Sequence, residues 1–133
     1  MLSAASGGKS PMRTVLLVDD SAVARRVLAR RLEAEGFLVC EASSMATARK
    51  VDCASLGCAI VDLELADGDG TDLARNLLEK RPALPIAFFT MGTAPSLVEG
   101  ARARGPVFLK PDVNPVIAWV RRTTRPSQPP PTK

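Results

Sequence analysis

Five short apolar runs, each followed by a stretch with apolar residues at helical spacing, divide the chain from Thr14 onward: Thr14–Val18, Phe37–Glu41, Cys58–Asp62, Leu84–Phe89 and Val107–Leu109. Val15-Leu16-Leu17-Val18 has no polar alternation, which suits a strand covered on both faces. Strands that alternate with helices call for a parallel sheet with helices on both sides, joined by right-handed crossovers. The expected fold is therefore α/β, a (βα)5 arrangement around a five-stranded parallel sheet.

The expected helices follow from their end signals. Ser21 caps a first helix that runs to about Glu35, with Ala24, Val27, Leu28, Arg31 and Leu32 along one face; Arg25, Arg26 and Arg30 fall largely off that face, and Gly36 ends the helix. Ser43 opens a second, of low apolar content, to about Val51. Asp69 or Thr71 begins a third to Lys80, with Leu73, Leu77 and Leu78 inward. A weak fourth spans Pro95–Arg104 with Gly100 inside it. Pro115 suits the first turn of the last helix, whose apolar face is Val116, Ile117, Trp119 and Val120, with Trp119 read as core. Residues 1–13 read as a disordered leader, 14–122 as the folded domain and 123–133 as a Pro-rich basic tail, too short for a DNA-binding unit.

Charge excludes more than it suggests. The net charge is +4, but the segments 1–13 and 121–133 carry six of the 18 basic side chains and none of the 14 acidic ones, leaving 12 bases against 14 acids between them. Nucleic-acid binding by the body is not expected from that balance. No apolar run is long enough to cross a bilayer and the first residues have no signal-peptide core, so a cytoplasmic protein without membrane attachment is expected. There is no histidine, which removes Ser-His-Asp and Cys-His catalysis, and Cys40, Cys53 and Cys58 lack zinc-site spacing. Gly8-Lys9-Ser10 has no preceding strand and is not a phosphate-binding loop. Counting a calcium loop from Asp67 puts Leu78 where a glutamate is needed, so Asp67 and Asp69 are assigned to the turn and the helix cap.

What remains is the set of residues closing the strands: Asp19-Asp20 after the first, Asp62 after the third, Thr90 after the fourth and Lys110 after the fifth. In an open parallel sheet these lie on the carboxyl edge, where ligands bind. Carboxylates gathered there repel unless a cation sits among them, and an all-oxygen donor set suits Mg2+. A lysine and a hydroxyl beside them suit a phosphoryl group.

The order Asp19-Asp20, Asp62, Thr90, Lys110-Pro111, with Asp69-Gly70 between, resembles the receiver domain of two-component response regulators over residues 14–122. The resemblance implies a flavodoxin-like, CheY-like sheet of strand order 2-1-3-4-5. It implies that Asp62 is the phosphoacceptor, that Thr90 and Lys110 contact the phosphoryl group, and that Mg2+ is held by Asp19, Asp20, Asp62 and the Glu64 backbone carbonyl. It further implies phosphoryl transfer from a sensor histidine kinase or phosphotransfer protein, and a signalling role rather than that of an enzyme. The resemblance also implies a downstream protein target bound through the face of the fourth helix, fifth strand and fifth helix, with the chain a monomer or a phosphorylation-dependent homodimer. Three positions depart from the family pattern: Ala66 replaces a usual proline, Val107 a usual aromatic with Phe108 pointing to the other face, and Met91 a usual small residue. The alternative they support is a degenerate receiver serving as a constitutive protein-interaction module. A phosphohydrolase of the haloacid dehalogenase type is disfavoured, because it needs an aspartate where Glu64 stands.

Overall fold

The computed structural model describes residues 14–91 and 94–124. The leader over 1–13 and the tail beyond 124 lie outside the described residues. The strands are β1 (Thr14–Val18), β2 (Leu38–Ala42), β3 (Cys58–Val61), β4 (Ile86–Thr90) and β5 (Val107–Leu109); the helices are α1 (Ala22–Ala34), α2 (Met45–Ala48), α3 (Gly70–Lys80), α4 (Pro95–Arg102) and α5 (Asn114–Thr123). All five strands are parallel in the order β2-β1-β3-β4-β5, as expected. β1 pairs with β2 from Thr14↔Leu38 and with β3 from Val15↔Cys58.

Strand parity builds two cores. Leu16, Val18, Ala59, Val61, Ile86 and Phe88 face α2, α3 and α4, where they meet Met45, Ala48, Leu73, Ala74, Leu77 and Ala101. Val15, Leu17, Cys58, Ile60, Ala87 and Phe89 face α1 and α5, against Leu28, Ala29, Leu32, Val116, Ile117, Trp119 and Val120. Val107 and Phe108 fall on opposite sides, as period two requires.

Ser21 caps α1 as expected, its hydroxyl accepting from the Ala24 N–H at 3.2 Å, and Gly36 turns the chain out of the helix at φ 96°. The buried row of α1 is Leu28, Ala29 and Leu32, so the expected stripe is corrected: Val27 is 51% exposed and Arg31 is also outside. Arg25, one turn before Ala29, lies on the inward row instead. The expected second helix is cut to Met45–Ala48 and capped by Ser44 rather than Ser43; a 3-10 turn at Cys53–Ser55 carries the chain back to the sheet. β2 begins one residue later than expected. Between β3 and α3 the chain makes a small antiparallel hairpin, Glu64–Leu65 against Gly68–Asp69, that the sequence reading did not foresee. α5 runs through Thr123, one residue past the expected domain edge.

Candidate functional site

Backbone pairing sets the strand ends side by side. The Asp19 N–H bonds the Ala42 carbonyl at 3.1 Å, the Asp62 N–H bonds the Val18 carbonyl at 3.0 Å, and the Lys110 N–H bonds the Thr90 carbonyl at 2.8 Å. Asp19, Asp62 and Thr90 are buried, with 3%, 6% and 1% exposure, while Asp20 is exposed. One carboxylate oxygen from each of Asp19, Asp20 and Asp62 lies within 4.8 Å of the others.

Lys110 reaches across from the far edge. Its Nζ donates to Asp19 Oδ2 at 2.8 Å and to Asp62 Oδ2 at 2.9 Å. Burial works against its charge, yet the two carboxylates outweigh that and hold its pKa above the ordinary lysine value. Asp19 shows the opposite balance: burial pushes its carboxyl up, the Asp62 charge adds to this, and the bonds from Lys110 and the Ser21 N–H (2.9 Å) only partly compensate. Asp62 Oδ1 accepts the Glu64 N–H at 3.2 Å. Thr90 Oγ1 is buried without a hydrogen-bond partner among the described residues.

The donor set tests the site for a cation. Three carboxylates face one lysine, all donors are hard oxygens, and the Asp19 carboxylate is held at an energetic disadvantage by burial. A divalent ion of the Mg2+ kind fits such a set, with Asp19, Asp20 and Asp62 as the residues to hold it. Asp67 and Asp69 stand apart from this cluster and serve the backbone. Asp69 Oδ1 accepts from the Thr71 N–H at 2.8 Å and caps α3, and Asp67 accepts from the Met45 and Ala46 N–H groups. Gly70 lets α3 start against the end of β3: a Cβ there would lie 2.2 Å from the Asp62 carbonyl oxygen.

Two supporting residues escaped the sequence reading. Arg25 donates to the Asp19 carbonyl at 2.7 Å and pairs with Glu41 at 2.9 Å, so it braces the turn that carries Asp19 and Asp20; Arg26 also binds Glu41. Its place one turn before Ala29 was the available signal. Beside the site lies an apolar cleft of about 290 Å3, lined by Val23, Val27, Phe89, Met91 and Pro111 with Lys110 at its wall. The Lys110–Pro111 peptide is cis.

A lysine-bridged acidic pocket on the carboxyl edge of a doubly wound sheet of this order defines the receiver class of signalling domains. The chain belongs to the response regulator receiver domain family, whose profile matches residues 15–110. It is 34% identical over 128 residues to the photosynthetic apparatus regulatory protein RegA of Rhodovulum sulfidophilum, covering 93% of this chain and 69% of that protein. It is 41% identical over 86 residues to the DNA-binding transcriptional activator DevR/DosR of Mycobacterium tuberculosis, covering 62% of this chain and 40% of that one. Its fold is shared with the response regulator TrrA of Thermotoga maritima, solved in complex with Mg2+-BeF: TM-score 0.74, 21% identity, 84% of this chain and 98% of that chain covered. Domains of this family accept phosphoryl groups from histidine kinases and signal to partners. Among the described residues no helix is long and apolar enough to cross a membrane.

Proposed function

We propose that this protein is a Mg2+-dependent phospho-switch in which Asp62 accepts a phosphoryl group from a sensor histidine kinase or phosphotransfer protein. The observation that supports it is the Lys110 bridge between Asp62 and Asp19 beside a buried Thr90 hydroxyl that has no partner among the described residues. The Asp62 carboxylate attacks the phosphorus of a phosphohistidine; a P–O bond forms, the P–N bond breaks, and the departing imidazole takes up a proton. Asp19, Asp20, Asp62 and the Glu64 backbone carbonyl would hold the ion, and Mg2+ bound there would supply the charge that lets carboxylates and a phosphoryl group share one pocket. Lys110 keeps Asp62 oriented and offers its ammonium to a phosphoryl oxygen. Thr90 offers the hydroxyl. The role is signalling rather than turnover of a small substrate, through the face of α4, β5 and α5, in the cytoplasm, as a monomer or a phosphorylation-dependent dimer.

A second reading, the constitutive interaction module, is favoured by Val107: an aliphatic side chain packs at the edge of the α2–α3–α4 core, where it has no hydroxyl or ring to couple to Thr90. Amide NMR with beryllofluoride, a stable mimic of the aspartyl phosphate, separates the two. The switch predicts Mg2+-dependent shifts at Asp62, Thr90, Lys110 and α5 that vanish in Asp62→Asn, together with uptake of one phosphoryl group from acetyl phosphate in the wild type only. A wild type silent to both reagents while still binding its partner would leave the interaction module.

A further inference from the structure

Asp62 leaves β3 directly into the hairpin, and Glu64 is its first residue. At the hairpin tip, Asp67 Oδ1 accepts the Met45 N–H at 3.0 Å and Oδ2 accepts the Ala46 N–H at 3.2 Å. These bonds hold the Asp67 carboxyl below the ordinary aspartate range. α2 has only four residues, so its first N–H groups have no partner within the helix and must be satisfied from outside. Ser44 takes the Thr47 N–H at 3.1 Å; Asp67, 22 residues away from Met45, takes the two before it. The loop also touches α2 directly, since a Cβ at Gly68 would come within 2.5 Å of Met45 Sδ.

We propose that Asp67 is a positioning residue for the Asp62 site: its carboxylate latches the hairpin to α2 and thereby fixes the Glu64 backbone at the cation position. The inference rests on the phospho-switch reading and deepens it. The chain of contacts is continuous. Glu64 pairs with Asp69 across the hairpin, Asp69 caps α3 at 2.8 Å, the Gly70 N–H bonds the Leu63 carbonyl at 2.8 Å, and the Glu64 N–H bonds Asp62 itself. The Asp69 and Gly70 contacts secure the base of the hairpin to the helix that follows it. Asp67 secures its tip to a different element, across the α2–α3 side of the sheet. Ala66, exposed beside it, adds no ring to stiffen the turn. The latch therefore supplies from the side the rigidity that the local sequence lacks.

The test uses the full chain and three variants: Asp67→Ala, Asp67→Asn and Ser44→Ala. Each is titrated with Mg2+ alone by calorimetry, melted, and followed by amide exchange. The latch predicts that Asp67→Ala weakens Mg2+ binding by about tenfold, at the lower end of losses for residues that orient ligands. It also speeds exchange at Glu64 and Leu65, and Asp67→Asn, which keeps one acceptor oxygen, recovers part of both. Ser44→Ala removes the helix's own cap and predicts a lower melting temperature with unchanged Mg2+ affinity. Unchanged affinity in Asp67→Ala beside a normal wild-type isotherm overturns the latch, as does an equal loss in Ser44→Ala, which would trace the effect to α2 stability. A wild type that binds no Mg2+ overturns the phospho-switch reading, and the latch with it.

Discussion

At Thr90 the interests of stability and of the site diverge. A buried hydroxyl without a partner costs about 1–3 kcal/mol relative to one that is bonded, and Thr90 Oγ1, at 1% exposure, has none among the described residues. Replacing the hydroxyl by a methyl in Thr90→Val removes the unsatisfied group while nearly keeping the shape. The expected outcome is a variant more stable by about 1 kcal/mol, seen as a melting temperature a few degrees higher, whose uptake of phosphate from acetyl phosphate is slower by roughly tenfold or more, the worth of one bond to a charged oxygen. Stability retained or gained with activity lost is the signature of a group kept for chemistry. A destabilised Thr90→Val would instead mean that the hydroxyl has a structural partner. The residues at the strand ends were legible in the sequence because each closes an apolar run. What the sequence could not show is that Lys110 bridges Asp19 as well as Asp62, since that depends on the lateral order of β1, β3 and β5.

Elements were legible in proportion to how much their own residues decide them. β1, β5 and the apolar face of α5 were read correctly, because uninterrupted apolar runs and a Pro-started amphipathic turn leave little choice. α2 was overestimated because only Met45 and Ala48 reach the core, and its start depends on Asp67 from another loop. The hairpin was invisible because two-residue strands carry no periodicity. On α1, Val23 and Val27 look like core residues by composition, yet the packed row is turned toward Ala29, which leaves them on the apolar cleft beside the site. The glycines around α4 give a clear test of how local a residue's effect is. Gly100 sits inside the helix, and a Cβ added there would meet nothing within 4 Å, so Gly100→Ala should stabilise the protein by about 0.5–1 kcal/mol through the unfolded chain and helix propensity. Gly105 turns the chain into β5, and a Cβ there would lie 1.9 Å from the Ile86 carbonyl oxygen in β4. Gly105→Ala should cost several kcal/mol, of the order reserved for backbone clashes. Denaturant melts of the two variants check both signs; equal effects would mean that β5 yields freely against β4.

The described residues are organised on a five-stranded sheet with a core on each side, and the core on the α1–α5 side carries a group that links global stability to alkaline pH. Cys58 starts β3, is fully buried, and has its Sγ 3.9 Å from Thr124 Oγ1 at the end of α5. Burial pushes its thiol from the ordinary 9.0 up to about 12, against a weaker pull from the hydroxyls of Thr124 and Thr123. In the unfolded chain the thiol ionises near pH 9; in the folded one it keeps its proton. The folded state therefore binds more protons above pH 9, and stability must fall as pH rises. The contribution is fully present below pH 9 and is lost between there and about pH 12, with a slope of up to about 1.4 kcal/mol per pH unit. Lys110, whose pKa is also raised above its ordinary 10.5 by Asp19 and Asp62, adds a loss of the same sign at the upper end. The chain has no tyrosine, so phenol ionisation does not overlie this range. Urea melts between about pH 8 and about 10.5 on wild type and Cys58→Ala should show a gap that narrows as pH rises: the variant carries a constant cavity penalty but lacks the thiol's slope. Parallel curves would mean that Cys58 ionises alike in both states, and that the seam between β3 and the end of α5 admits water.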